Sequence, residues 1–354
     1  MSAALEFGIQ FHLASTVDRY ATPDLAALGE AAERGGFSQV WVTDNLGARN
    51  PFVVLAALAP RVRIKLGAAV VVQYFRNPVD VADAIATLTE LTGGRELGVG
   101  LARGSLSKTP QYVRPSDPIA ILEETAGMLR HLLAGDGVQF ARYPALTSYF
   151  NLSPKGEGRL GMRPAGPVRL YGGGNGPRAL EVAGRAMDGV IYGGSFLAAA
   201  RAETIGRSVE IADRAAGRSA PGKTLRKVAE VNVSLSADRA AARRYARPFA
   251  ATVIGHLHAT GWAADDFRRA GVEPEDVGRL VAARRAGAPE DAAAAMVTDG
   301  MIDATIIAGD PRACAPRLDA ACAAAARLEF HQVMFSKLGP DYGEAIGLLA
   351  DWLP

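Results

Sequence analysis

Residues 63–104 have the sequence RIKLGAAVVVQYFRNPVDVADAIATLTELTGGRELGVGLARG, and this stretch decides the fold. An apolar run, Ile64 to Val72, leads into an Arg-Asn-Pro helix start, an amphipathic helix and a Gly-Gly stop. A second apolar run, Glu96 to Leu101, ends in Ala102-Arg103-Gly104. The pattern predicts a strand–loop–helix–strand unit in which both strands end in small residues. Because small residues let a flat ligand approach the backbone closely, we expect this unit to form one wall of a cofactor site.

The rest of the chain repeats this alternation of strand and helix, with two segments that depart from it. The alternation favours an α/β fold, a (β/α)8 TIM barrel, with a doubly wound open sheet as the alternative. Residues 138–166 and 237–297 are predicted insertions that follow strands and collect at the C-terminal face of a single domain, 1–354. The predicted strands are Phe7–Phe11, Ser38–Thr43, Ile64–Val72, Glu96–Leu101, Val168–Tyr171, Asp188–Tyr192, Val228–Leu235 and His331–Ser336.

Composition and charge exclude several classes of function. The chain has 39 Lys and Arg against 37 Asp and Glu, a net charge of +2, which argues against nucleic-acid binding. No apolar run reaches about 18 residues, and the amino terminus, MSAALEFGIQ, lacks a basic leader pattern, so we expect a cytoplasmic protein outside the membrane. Cys314 and Cys322 lack His or Cys neighbours at metal spacing. We therefore expect them to be core residues, and we predict no metal site.

The clearest local signal is the glycine-rich loop Gly172-Gly173-Gly174-Asn175-Gly176-Pro177 between a predicted strand and a helix that begins near Arg178. Backbone N–H groups in such a loop can point at an anion, and the helix dipole helps. The loop is therefore either a phosphate site or an ordinary flexible turn. No Lys-Ser/Thr pair follows it, so it is not a nucleotide P-loop.

Other candidates lie where predicted strands end. Asp44 and Asn45 could hydrogen-bond a heterocycle or cap the next turn. Arg103 could bind a substrate carboxylate or form a surface ion pair. His12 is a candidate acid or base, although a lone His is more often structural. At Ala69-Val70 the residues alone favour an ordinary buried strand end over an unusual peptide geometry.

Seven stretches, taken together and in this order, resemble the bacterial luciferase-like oxidoreductases, which bind FMN or the deazaflavin coenzyme F-420 in a (β/α)8 barrel. The chain is most similar to the methylenetetrahydromethanopterin reductase type. These stretches are FGIQF (7–11), VWVTDNLGARN (40–50), LGAAVVVQYFRNP (66–78), AIATLTELTGGR (84–95), GNGPRALEVAGRAMDGV (174–190), IAGDPR (307–312) and FSKLGPDY (335–342).

The resemblance implies a cofactor site. In this family the third strand has a bulge with a non-prolyl cis peptide that supports the central ring, and Ala69-Val70 matches it. Asp44 matches a position that contacts the ring system. The loop after the fifth strand contacts the phosphate-bearing tail. The matching residues in this loop are Gly173, Gly174, Asn175, Gly176, Arg178 and Ala179.

The departures from the family concern proton transfer. Reductase relatives carry a Glu where this chain has Gln10. Sugar-phosphate dehydrogenase relatives carry a His where it has Asn45 and a Glu where it has Arg103. Neutral amides cannot act as general acids or bases at physiological pH, and Arg stays protonated. Gln10, Asn45, Arg103 and His12 remain the candidates for catalysis, but the usual proton relays are absent.

The resulting hypothesis is a flavin- or deazaflavin-dependent oxidoreductase acting on a small organic substrate by hydride transfer or oxygen activation, with NAD(P)H as a possible reductant. One alternative is an NAD(P)H-linked pterin or folate methylene reductase on the same barrel without bound flavin. Another is a cofactor-binding protein without turnover. Apolar helices around the barrel predict a homodimer.

Overall fold

A computed structural model describes residues 4–105 and 109–353, so the first three residues of the amino-terminal segment lie outside it. Eight parallel strands close into a barrel, because β8 pairs with both β1 and β7 and every other strand pairs with its sequence neighbours. All eight predicted strands are present, and the barrel prediction is confirmed. They are β1 Glu6–Phe11, β2 Gln39–Val42, β3 Lys65–Val72, β4 Leu97–Ala102, β5 Val168–Gly173, β6 Gly189–Tyr192, β7 Arg226–Leu235 and β8 Gln332–Ser336.

Helices surround the barrel, and several begin where the sequence places Asn or Asp before proline. Asn50 and Asn77 accept hydrogen bonds from the backbone of the first turn, each at 2.9 Å, and Asp117 and Asp310 do so at 3.0 Å. None of the described helices is long and apolar enough to cross a membrane. The helices are Leu13–Thr16, Thr22–Arg34, Pro51–Leu58, Pro78–Leu91, Thr109–Tyr112, Pro118–Leu133, Pro144–Tyr149, Pro177–Ala186, Phe196–Arg201, Ile205–Ser219, Arg239–Ala259, Ala264–Ala270, Pro274–Arg285, Glu290–Ala295, Asp299–Thr305, Pro311–Arg327 and Tyr342–Trp352, with a 3-10 turn at Phe140–Arg142.

The ring of Trp41 lies at the centre of the barrel interior, where it packs with Tyr171 and Met334. A β-carbon at Gly67 or Gly98 would lie 2.5 Å from Trp41, so these glycines provide the space that the indole occupies. The indole nitrogen of Trp41 donates to Gln332 Oε1 at 2.9 Å, and Gln332 Nε2 donates to Gln39 Oε1 at 3.1 Å. The interior is therefore packed below the carboxyl ends of the strands, and a ligand has room only above this layer.

The first insertion differs from the prediction in its starting point. Residues 138–166 follow the helix Pro118–Leu133 and precede β5, so they do not follow a strand. Helix Pro118–Leu133 returns the chain toward the amino ends of the strands, and the insertion then reaches back. The hydroxyl of Tyr149 donates to the carbonyl oxygen of Tyr74, two residues after β3, at 3.3 Å. Part of the insertion thus reaches the carboxyl end of the barrel.

The second insertion is helical, as predicted, and has its own apolar cluster, which includes Ile254, Phe267 and Leu280. Its longest helix, Arg239–Ala259, is called the covering helix below. Arg19 fastens this helix to the barrel, because its guanidinium lies 5.0 Å from the ring of Tyr245 and donates to the Tyr245 hydroxyl at 3.0 Å. The covering helix is thereby held over the carboxyl end of β1.

Candidate functional site

The bulge in β3 places Val70 at the carboxyl end of the barrel. The Ala69–Val70 peptide is cis, as the family resemblance implies, and the pairing of β3 with β4 shifts between Ala68 and Val71. A β-carbon on Gly173 would lie 2.6 Å from Val70 Cγ1, and one on Gly100 would lie 2.9 Å from it. Glycines on β4 and β5 therefore make room for Val70, whose partly exposed side chain forms an apolar surface.

Gln10 fixes this bulge from the opposite side. Its amide nitrogen donates to the carbonyl oxygen of Ala69 at 2.8 Å, and its amide oxygen accepts from Ser336 Oγ at 2.5 Å. The side chain is 2% exposed. Both ends of the amide are thus used within the protein, and the geometry supports a positioning role for Gln10. Its predicted catalytic role stays a prediction.

Asp44 closes the other end of β3. Its Oδ2 accepts from the backbone nitrogen of Val72 at 3.0 Å, and Arg76 donates to both carboxylate oxygens, at 2.6 and 3.1 Å. The side chain of Asp44 is 1% exposed and that of Arg76 14%, so this is a buried, bidentate ion pair. The Arg76 guanidinium also lies 5.6 Å from the ring of Phe52. Asp44 therefore holds the strand end next to the proposed ring surface.

Thr43 links the segment that carries Asn45 to the segment that carries His12. The Thr43 hydroxyl donates to Asn45 Oδ1 at 2.6 Å and accepts from the backbone nitrogen of Leu13 at 2.9 Å. Next to it, His12 Nδ1 accepts from the backbone nitrogen of Ser15 at 3.3 Å and caps a short helix. The carboxyl ends of β1 and β2 are thus tied together, and both predicted residues lie at the mouth of the barrel.

The glycine-rich loop after β5 is shorter than predicted, because β5 continues through Gly172 and Gly173. Gly174 adopts φ = +136°, a conformation that favours glycine. Asn175 Nδ2 donates to Ser195 Oγ, just after β6, at 2.6 Å. The side chain of Asn175 therefore braces the loop against its neighbour.

The helix that follows, Pro177–Ala186, has an open amino terminus. Within the described residues no side chain caps it, and a β-carbon on Gly176 would have no neighbour within 4 Å. Pro177 has no N–H group, so the backbone N–H groups of Arg178 and Ala179 are the first available donors. Arg178 is exposed. The arrangement suits a phosphate group.

Arg103 stands apart from the Gln10 network, exposed at the carboxyl end of β4. Burial raises the pKa of Tyr74 to about 12, and the charge of Arg103 partly offsets this. Burial also lowers the pKa of His256 on the covering helix, and Arg103 lowers it further. Arg103 therefore makes this side of the mouth positive, as an anion-binding role requires.

Two ionisable residues at the mouth were missed by the sequence reasoning. Val228 packs inside the barrel, so Glu230, two residues further along β7, faces the interior as well. Lys337 directly follows β8, and its Nζ lies 5.3 Å from the ring of Phe249 on the covering helix. Both had a signal: Glu230 interrupts the apolar run VAEVNVSL, and Lys337 ends the strand HQVMFS.

Their shared surroundings change how both groups titrate. Burial raises the pKa of Glu230, and the nearby charge of Lys337 opposes this. Burial likewise lowers the pKa of Lys337 to about 8, and Glu230 opposes that change. Both residues lie in the described part of the chain, and they form no ion pair with each other. Such perturbed groups in a cleft are typical of functional sites.

The amino end of the barrel also has a groove, and two of its basic side chains form ion pairs within the protein. Lys227 pairs with Asp213 at 2.9 Å, and Arg226 pairs with Glu6 at 3.4 Å. The carboxyl end is therefore the better candidate for function, as it is in other barrels of this type.

A closed parallel barrel with a bulged third strand, a glycine-rich loop after the fifth strand and a helical cover defines an oxidoreductase class of TIM barrel. Comparison with known families agrees with this. The chain belongs to the luciferase-like monooxygenase family, whose model matches residues 6–328. The predicted family, the predicted barrel fold and the prediction that the protein is an enzyme are thereby confirmed.

Among proteins of known function, the chain is similar to the 5,10-methylenetetrahydromethanopterin reductases of two archaea. It is 29% identical to that of Methanolobus tindarius, over 89% of this chain and 90% of the relative. It is also 29% identical to that of Archaeoglobus fulgidus, over 98% and 97%. Among solved structures it is similar to the coenzyme F-420-dependent tetrahydromethanopterin reductase of Methanopyrus kandleri, with a TM-score of 0.77, 21% identity and 99% of both chains covered.

Proposed function

We propose that this protein is an oxidoreductase that binds the deazaflavin coenzyme F-420, with FMN as the second candidate, and acts on a small organic substrate. The observation that carries the proposal is the partly exposed Val70, seated over Gly100 and Gly173 at the mouth of the barrel. An apolar side chain at this position suits a planar ring. The similar reductase from Methanopyrus kandleri depends on coenzyme F-420, which favours F-420 over FMN as the cofactor.

The residues present fit a flavin-type cofactor. Val70 would support the ring. The phosphate-bearing tail would meet the loop Gly174–Gly176 and the N–H groups of Arg178 and Ala179, where the open surroundings of Gly176 leave space. The exposed guanidinium of Arg178 lies at the same helix terminus, so its charge would attract an anion as well. An apolar surface and an anion site at one end of the barrel are the two features that such a cofactor requires.

The cofactor, when bound, supplies the redox chemistry by accepting or donating a hydride. The protein's own residues prepare the site. Gln10 and Asp44 hold the two ends of the β3 bulge, so the surface at Val70 is preorganised. The covering helix places Phe249 beside Lys337 and, at a ring distance of 5.9 Å, beside His12. This aromatic cover would exclude water from the substrate.

The test is a titration of the purified protein with F-420 and, separately, with FMN, followed by absorbance and fluorescence. We expect saturable F-420 binding that is tighter than FMN binding. Tighter FMN binding would overturn the choice of cofactor. Binding of neither, together with NADH binding in the absence of flavin, would overturn the proposal in favour of the nicotinamide-linked alternative.

A second candidate is a cofactor-binding protein without turnover. It is favoured by the neutral side chains of Gln10 and Asn45, which are engaged in hydrogen bonds with other residues of the protein. Sustained turnover linked to F-420 or NAD(P)H in a steady-state assay would exclude it. Location in the cytoplasm and a homodimer stay predictions. The homodimer is tested by light scattering of the purified protein, where a monomer mass at working concentration would contradict it.

A further inference from the structure

Hydride transfer from an alcohol also requires a proton acceptor, and the positions that supply one in related enzymes do not do so here. Oxidation of an alcohol removes a hydride from carbon and a proton from oxygen. Gln10 and Asn45 are amides, and Arg103 stays protonated. His12 is the remaining predicted candidate, but its Nδ1 already accepts from the backbone nitrogen of Ser15, and the mouth holds other ionisable groups that could accept the proton.

The topology places Glu230 and Lys337 across the mouth from the ring surface. In the closed order β1 to β8, β3 and β7 are four strands apart and thus lie on opposite sides. Val70 is on β3, Glu230 is on β7 and Lys337 follows β8. A substrate lying against a ring on Val70 would have its other side toward these two residues.

Lys337 has an aromatic neighbour on the covering helix and a charged neighbour on β7. The covering helix presents the face of Phe249, 5.3 Å from Nζ, and β1 is followed by His12, whose ring lies edge-on to Phe249. From β7, Glu230 is the charged group that acts on Lys337. The Glu230 carboxylate accepts hydrogen bonds from the Ser336 hydroxyl and from the backbone of Gly194, which hold it beside Lys337.

We propose that Lys337, with Glu230 as its electrostatic partner, accepts the proton of a substrate hydroxyl during oxidation and returns it during reduction. The substrate class is therefore an alcohol and its carbonyl product. This inference rests on the proposed function, because the hydride acceptor is the oxidised flavin-type cofactor.

In the direction of oxidation, two bonds of the substrate alcohol break. The substrate C–H bond breaks and its electron pair leaves as a hydride to the oxidised cofactor, while the O–H bond breaks and the proton moves to the neutral Lys337 amine. The carbonyl C=O bond forms, and Lys337 later releases its proton to water. Burial lowers the pKa of Lys337 to about 8, so the neutral amine is available near physiological pH.

The first measurement needs no cofactor. In protein with isotope-labelled lysine side chains, the NMR signal that disappears in Lys337→Gln should titrate near pH 8, well below an ordinary Lys at about 10.4. Glu230→Gln should lower this pKa further, because it removes the negative charge that favours the ammonium form. Titration at the ordinary value would overturn the inference and leave the proposed function standing.

The second measurement uses protein loaded with F-420 and a panel of small alcohols and ketones. We expect kcat/KM for oxidation to rise as pH increases through about 8, and kcat/KM for reduction to fall over the same range. Both of these pH-dependent limbs of the profile should be absent in Lys337→Gln. The loss should be about 100-fold or more, with unchanged F-420 binding. Lys337→Arg keeps the charge but should not restore the limbs, and exposed Lys155→Gln is the matched control.

A Lys337→Gln variant with the wild-type rate and pH profile would overturn the inference. Turnover confined to substrates that have neither a hydroxyl nor a carbonyl group would overturn it as well. Failure of the wild-type protein to bind F-420 or FMN would instead overturn the proposed function, and with it the redox step, whatever the NMR titration shows.

Discussion

The side-chain amide of Gln10 donates to the carbonyl oxygen of Ala69 at 2.8 Å and so joins β1 to the bulge in β3. The same amide accepts from Ser336 on β8, which makes it a link among three strands. A neutral amide is suited to this position because it donates at one end and accepts at the other. An ionised carboxylate could accept from Ser336 but could not donate to Ala69.

Gln10→Glu should therefore make stability depend on pH. The new side chain replaces the hydrogen bond to Ala69 only when protonated, so burial and this bond raise its pKa in the folded state. Stability is then present at low pH and is lost as pH rises through the folded pKa. We expect the free energy of unfolding at pH 8 to fall by about 1–3 kcal/mol, from urea unfolding. Gln10→Met, which makes no hydrogen bond, should lose the same amount at pH 5 and pH 8. An equal loss in Gln10→Glu at both pH values would contradict the argument.

The ion pair of Asp44 and Arg76 predicts a second, larger effect. Arg76→Gln leaves a carboxylate that is 1% exposed without its partner, and removal of one member of a buried pair costs about 3–5 kcal/mol. Arg268→Gln is the control, since Arg268 and Asp265 form a similar contact at 2.6 Å on the surface, where the side chains are 54% and 78% exposed. It should cost about 1 kcal/mol or less. Similar losses in both variants, measured by thermal or urea unfolding, would show that burial does not decide the strength of the pair.

Sequence periodicity sufficed for the barrel because strands buried on both faces are continuous apolar runs and several helix starts carry Asn or Asp before proline. It could not place the insertion 138–166, whose contact between Tyr149 and Tyr74 joins residues far apart in the chain. The cis peptide at Ala69–Val70 came from the family resemblance, since Ala and Val have no local preference for it. Glu230 was hidden for a different reason. Its exposure to the mouth depends on which face of β7 is turned inward and on the glycine at position 193, and both follow from barrel closure.

The final prediction concerns Gly173, which decides where Val70 can lie. A β-carbon there would be 2.6 Å from Val70 Cγ1, closer than two such carbons can approach, so Gly173→Ala must push Val70 away from β5 and into the ring site. We expect F-420 binding to weaken at least about tenfold in a fluorescence titration, which corresponds to about 1.4 kcal/mol.

Gly347→Ala is the matched control, because this glycine lies in the helix Tyr342–Trp352 with no neighbour within 4 Å of the added carbon. The Gly347→Ala variant should bind F-420 as the wild type does. Circular dichroism and a melting curve would show that Gly173→Ala is folded at the assay temperature. A folded Gly173→Ala protein with wild-type affinity for F-420 would contradict the placement of the ring on Val70.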